Sequence, residues 1–196
     1  DTKKSAKKVP PFIKEFNIPI DDYKKGSLIE GEIKDSYRSF NEFFIREFED
    51  GKRSFVKEAN RMGAFAEARY FGHKEITDGL KIPVKGTMLK VTDLVGNKEL
   101  GDEFIGGPLM IARLCPVDYH RYHYPDDGKT LDSYQLHGDY HSVNSIALKH
   151  KEDIFIKNER RVSILETKHF GKLAYIEVGA MCVGKIVQTQ DESIDF

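Results

Sequence analysis

From Phe55 onward the chain is broken at short intervals by glycine and Asp-Gly pairs, and this punctuation constrains its fold more than any other feature. Asp78-Gly79, Gly86, Gly96, Gly101, Gly106-Gly107, Asp127-Gly128, Gly138, Gly171, Gly179 and Gly184 leave little room for long helices. Between them lie β-type runs at Leu109–Leu114, Leu131–Leu136, Val162–Glu166 and Leu173–Val178. Short runs at this spacing suit antiparallel pairing or a partly closed barrel better than βαβ units. Thr92–Val95 reads as a single helical turn.

The first fifty residues read as helical. Phe12, Ile13, Phe16 and Ile20 fall near helical spacing after Val9-Pro10-Pro11, with Pro19 as an interruption. Ser39-Phe40-Asn41-Glu42 is a capping-box pattern that opens a short helix, and Phe40, Phe43, Phe44 and Phe48 form a stripe that Gly51 ends. Such a stripe is read as the face that docks on the body. The expected fold is α+β, with N-terminal helices packed on a mainly antiparallel, partly barrel-like β body. Residues 1–50 are the helical segment and 51–196 the β-rich body, together one domain.

The hydrophobic set is 39% of 196 residues, enough for an ordinary core. Lys+Arg number 31 and Asp+Glu 32, so the basic excess usual in nucleic-acid binders is missing, and no nucleic-acid partner is expected. No apolar run approaches the roughly 20 residues of a spanning helix. The lysines between Asp1 and Lys8 are followed by no apolar stretch of the kind a secretory signal carries. Cys115 and Cys182 stand alone in apolar surroundings and are read as buried thiols.

Chemistry is concentrated in one stretch. Five of seven histidines fall between residues 120 and 150, and the densest segment is Asp118-Tyr119-His120-Arg121-Tyr122-His123-Tyr124-Pro125. Imidazole titrates near neutrality, which suits proton transfer. Two histidines beside a carboxylate and a guanidinium on a strand-end loop resemble an active-site edge, whereas the plainer reading is a polar loop with one packed and one solvated ring. A zinc site from His120 and His123 with His137 or His141 is the weaker rival, and no metal is expected. Nucleophile elbows, Walker loops and dinucleotide fingerprints are missing, and Gly26-Ser27 is most simply a turn. The chain thus offers acid–base groups with no electrophile of its own.

These segments resemble a known family. Asp118-Tyr119-His120-Arg121-Tyr122-His123 is similar to the DYHRxH signature of the pyruvoyl-dependent phosphatidylserine decarboxylases. Ser5 to Ile13, Phe40-Asn41-Glu42-Phe43-Phe44-Ile45-Arg46, Val84-Lys85-Gly86 with Leu94-Val95-Gly96, Gly138 to Asn144, Asn158-Glu159-Arg160 and Val178 to Gly184 follow in the family's order. The resemblance implies a precursor that cleaves itself at a Gly-Ser bond. The serine becomes a pyruvoyl group on a short α chain, and the larger β chain carries the signature loop. Phosphatidylserine then loses CO₂ through a Schiff base on that carbonyl, leaving phosphatidylethanolamine. By this resemblance His120 serves decarboxylation, while His123 is the base of self-cleavage, paired with a family Asp whose place Glu67 takes.

Glu67 reaches one methylene further than Asp, Phe65 replaces the usual preceding Pro, and Lys185 stands where the family has Ser. Ser193 follows Glu192, so by motif it is no pyruvoyl precursor, and the pyruvoyl α chain is expected outside this sequence. The implied partners are that α chain, a phospholipid at a membrane surface, and a second β chain in a homodimer. The segment Lys3 to Ile20 either lies at the membrane interface, giving peripheral membrane association, or packs on protein. The alternatives are a catalytically impaired lipid-binding or regulatory homologue, and a decarboxylase of a soluble amino acid.

Overall fold

The computed structural model describes residues 3–26, 37–77, 80–81, 88–151 and 153–189. Asp78-Gly79, Val84-Lys85-Gly86, Ser27 and the segment around Ser193 lie outside the described residues. The chain divides into two units, Asp1–Phe71 with Ile111–Pro125, and Gly72–Met110 with Asp126–Phe196.

The first unit is built on aromatic packing. A 3₁₀ turn at Lys3–Lys8 leads into α1 (Val9–Phe16), with prolines in its first turn and Asn17 closing it in the left-handed region. In α2 (Phe40–Phe44) Ser39 Oγ accepts from the Glu42 amide at 3.1 Å. Glu42 returns to the Arg38 amide, one residue earlier than a standard capping box. The Phe40 amide donates to Ser5 Oγ at 3.0 Å, tying the N-terminal segment to α2. Val9, Ile18, Tyr23, Tyr37, Phe43 and Tyr119 are buried together, with Phe12, Ile13 and Phe40 packed on them. Phe43 is fully buried, and truncating such a ring to alanine costs about 3–5 kcal/mol. The inner face of α1 is therefore protein-covered, while Phe16 remains exposed.

β1 (Arg69–His73) begins in this unit and ends in the next. The second unit adds β2 (Leu80–Lys81), β3 (Met88–Leu89), α3 (Val91–Val95) and α4 (Lys98–Asp102). They are followed by β4 (Leu109–Arg113), β5 (Gly128–Leu136), α5 (Ser145–His150), α6 (Ile154–Lys157), β6 (Arg160–Thr167) and β7 (Gly171–Val178). β1 pairs with β4, β2 with β3, and β5–β6–β7 form a three-stranded sheet. That sheet is antiparallel, with Leu136 opposite Arg160 and Thr167 opposite Gly171. Its central strand is buried on both faces through Val162, Ser163, Ile164 and Leu165.

The expected α+β class and antiparallel pairing are present, and the expected partly barrel-like body is not supported. Among the described residues the strands fall into sheets of two, two and three. Closure requires a strand number, tilt and stagger that bring the last strand back to the first, and three strands cannot do this around a filled interior.

The sheet holds the helices by buried polar groups. Arg160 donates to Leu94 O and Asp93 O, both at 2.9 Å, and to Ile156 O at 2.6 Å. Tyr134 Oη donates to Val95 O at 2.8 Å, so orphan carbonyls at the end of α3 are satisfied. Gly96 ends α3 at φ 72°, where a Cβ would also meet Leu136 Cδ1 at 2.6 Å. Asn158 accepts from the His141 amide at 2.9 Å and donates to His141 O and Gly179 O at 2.8 Å. Glu159 accepts from the Gly138 amide at 2.9 Å and from Gln135. The separated motifs 138–144, 158–160 and 178–184 thus meet around one Asn-Glu-Arg run.

Candidate active site

The loop after β4 is stapled by its own acid. Asp118 Oδ2 accepts from the Cys115 amide at 2.6 Å and from Arg69 Nη1 at 3.1 Å, while the Asp118 amide donates to Cys115 O at 2.9 Å. This closes residues 115–118 into a turn and brings the same carbonyl within 2.9 Å of His120 Nε2. A carbonyl only accepts, so Nε2 carries the proton and Nδ1 of the neutral ring keeps the lone pair. The Phe44 ring stacks on His120 at 3.8 Å between centroids, with 22° between planes. Burial pushes the His120 pKa down, partly opposed by the Cys115 carbonyl and Asp118.

His123 is set by backbone pairing. Its amide donates to Phe65 O at 2.7 Å, and Ala66 bridges Tyr122, so segment 65–67 runs antiparallel to 122–123. The imidazole lies parallel to Tyr119 at 5.8 Å and meets the Phe55 ring edge-on at 5.4 Å. Burial, and then Arg121, lower its pKa. Among the described residues its ring nitrogens have no hydrogen-bond partner. Both imidazoles are therefore biased toward the uncharged form that a proton acceptor needs.

Glu67 shares this neighbourhood through its backbone, but its carboxylate is bound elsewhere. Arg53 Nε donates to Glu67 Oε1 at 2.5 Å, and the Arg53 guanidinium lies 4.5 Å over the Phe48 ring. A shallow cleft of about 540 Å³ opens between Ala64, Ala66, Glu67, Arg69, Tyr70 and Asp118. Among the described residues no group of three or more His, Cys, Asp or Glu side chains is disposed to hold a metal ion.

Sequence reasoning singled out the histidines and missed what holds them. Phe44 was expected only as core, yet it covers His120. Arg46 donates to Val117 O at 3.0 Å, and Arg121 Nε donates back to Ile45 O at 2.8 Å. The juxtaposition of the two motifs carries no signal within either one. Arg53 belongs to no motif, and nothing in the sequence marks it.

A fold of short helices and antiparallel sheets carrying two half-buried, desolvated histidines on a stapled loop suits the class of proteins that move protons. Within that class the phosphatidylserine decarboxylase family profile matches residues 40–196, and the chain belongs to that family. The resemblance seen in the motifs is thereby borne out. The phosphatidylserine decarboxylase proenzyme of Clostridium novyi is 41% identical over 189 residues, covering 96% of this chain and 62% of that protein. Proenzymes of the same name from Clostridium kluyveri and Clostridium perfringens are 38% and 37% identical, covering 94% and 96% of this chain and 60% and 62% of theirs. The chain thus spans about three-fifths of the length of these relatives.

Proposed function

We propose that this chain is the β chain of a pyruvoyl-dependent phosphatidylserine decarboxylase, acting with a pyruvoyl-bearing α chain to yield phosphatidylethanolamine and CO₂. The observation that carries the reading is His120: its Nε2–H is spent on Cys115 O, and Nδ1 is left to accept and return a proton. The donor set suits a carbonyl cofactor, because two half-buried, uncharged imidazoles can move protons beside a carbonyl without attacking it. Bound at this site, the pyruvoyl carbonyl would supply the electron sink that decarboxylation requires.

The chain's own groups then divide the work. Phe44 fixes the plane of His120 and excludes water from one face; Nδ1 first takes a proton from the substrate ammonium and then returns it to the substrate carbon that loses CO₂. His123, desolvated between Tyr119 and Phe55, takes the proton in self-cleavage, with Glu67 as its carboxylate partner. In this structure Arg53 holds that carboxylate, so the partnership requires Glu67 to exchange partners. The relatives' shared name supports a decarboxylase over an impaired homologue. Peripheral contact with a lipid surface is part of the same proposal: Phe16 is exposed at the end of a segment that carries Lys3, Lys4, Lys7, Lys8 and Lys14, and among the described residues no helix is long and apolar enough to cross a membrane.

The test is made in the full-length precursor. His123→Ala should leave the chain uncleaved by mass spectrometry. His120→Ala should cleave but release almost no CO₂ from phosphatidylserine vesicles. Normal maturation of both variants overturns the assignment. Hydroxylamine should abolish activity and a strong chelator should not; loss with the chelator, restored by zinc, would replace this reading with a metal site. Light scattering of the mature protein tests the homodimer.

A further inference from the structure

Two arginines lace α2 to the signature loop in opposite directions. Arg46 is buried, and its guanidinium donates to Phe43 O at 3.3 Å, Val117 O at 3.0 Å and Asp118 O at 3.4 Å. It also lies 4.3 Å over the Tyr23 ring and 4.6 Å over Phe43. Arg121 returns the tie, with Nε on Ile45 O at 2.8 Å and Nη2 2.9 Å from Glu47. Between these ties stand two rings in contact: Phe44, one residue after the buried Phe43, and His120, two residues after the clamped Asp118 carbonyl. Among the described residues the buried Arg46 Nε has no hydrogen-bond partner, so the guanidinium spends its donors on the carbonyls of these two segments.

We propose that Arg46 is a positioning residue for His120, fixing its imidazole by clamping the Val117 and Asp118 carbonyls while holding Phe44 against the ring. The proposal rests on the reading of His120 as the acid–base group of decarboxylation. A guanidinium fork can span carbonyls from two segments at once, whereas an ammonium on a flexible stem is a single point of charge. Released from the clamp, the 117–120 backbone would turn His120 off the Phe44 face and away from Cys115 O. Small displacements of a catalytic group are expensive: about 1 Å can cost on the order of 10²-fold in rate.

The experiment compares the full-length protein with its Arg46→Lys and Phe44→Leu variants. His120 is followed by NMR titration of labelled histidine, assigned with His120→Gln. Charged groups acting on the ring are Asp118 and Arg46, and the lysine keeps the positive charge, so a change in titration reports position and solvation. Arg46→Lys should raise the His120 midpoint toward that of free histidine. It should also lower kcat on the order of 10- to 100-fold with KM within about twofold, leaving self-cleavage complete. Phe44→Leu should move both readouts the same way. If Arg46→Lys fails to fold, Arg46→Gln, whose amide can still donate to one of the two carbonyls, is read in the same way. A lowered melting temperature with unchanged His120 titration and unchanged kcat overturns the proposal and makes Arg46 a core residue. If the parent protein shows no decarboxylation, the functional reading fails, and the titration still decides whether Arg46 positions His120.

Discussion

The histidines of the two units are built to opposite specifications. In the second unit three have an acidic neighbour: His137 Nδ1 lies 3.4 Å from Glu159, His141 Nε2 is 3.0 Å from Asp139, and His169 Nδ1 is 2.9 Å from Asp126. In the first unit His120 and His123 have no carboxylate within hydrogen-bonding distance among the described residues. They are packed against Phe44, Tyr119 and Phe55 instead. A neighbouring carboxylate can orient a ring through a hydrogen bond, whereas desolvation against an aromatic wall favours the neutral ring and leaves a nitrogen lone pair in reserve. These five histidines thus separate by what surrounds them, three beside carboxylates and two against aromatic rings.

The same contrast holds for the motif arginines, and here the largest effect is expected. Arg160 in the second unit spends its donors on the backbone of α3 and α6, with no open cleft described beside it. Arg160→Met should leave several carbonyls without donors and cost on the order of 3 kcal/mol in urea unfolding. The His120 titration should stay where it was. An Arg160→Met protein of parent stability would mean that water replaces the guanidinium, and the distinction between architectural and positioning arginines would fall.

The pH dependence of stability should show two windows, an upper one from the first-unit histidines and a lower one from carboxylates such as Glu159. Burial lowers the folded pKa of His120 and His123, so the unfolded chain takes up their protons first, near pH 6.5. Where the unfolded state binds more protons, stability rises with pH. This contribution is therefore present above about pH 6.5 and is lost as pH falls through the lowered native values. Glu159 acts lower: hydrogen bonds from Gln135 and the Gly138 amide hold its carboxyl below the ordinary range. Its contribution is present above about pH 4.3 and is lost on further acidification. Denaturant unfolding across pH should show both steps, with His120→Gln plus His123→Gln flattening only the upper one. An upper step that survives both substitutions would place its origin in another group.

How much of this was legible depends on the range over which each signal acts. Ser39 and Glu42, three apart, marked α2, and the structure caps it with that serine. The four β-type runs all became strands, because their turn residues are local. Gly101 misled as a breaker: it lies inside α4, and a Cβ there would meet Thr92 Cα at 2.6 Å, so it is glycine for close packing on α3. Asn144 caps α5 through the Ala147 amide at 2.7 Å, a signal present in the sequence and passed over. The barrel expectation failed because strand spacing says nothing of which strands pair. In the site, the motif located both histidines, while Phe44 and Arg46 lie more than seventy residues away in sequence and are found only through the fold.

The smallest stability effect is expected at Glu67, and it discriminates most sharply between structural and chemical roles. Its ion pair with Arg53 is half exposed at both ends, and pairs of that kind contribute about 0–1 kcal/mol. Glu67→Gln should therefore barely move the unfolding midpoint. Self-cleavage is another matter if Glu67 must leave Arg53 to support His123, since the amide can neither hold a proton nor stabilise an imidazolium. Glu67→Gln should then slow maturation severely, and Glu67→Asp, one methylene shorter and less able to reach Arg53, should speed it. Removing the competitor gives an independent arm: Arg53→Gln frees the carboxylate without touching either histidine and should also accelerate cleavage. If Glu67→Gln matures at the parent rate while Arg53→Gln changes nothing, the pair is a surface contact. His123 would then work as the first unit is built, against aromatic rings and without a carboxylate.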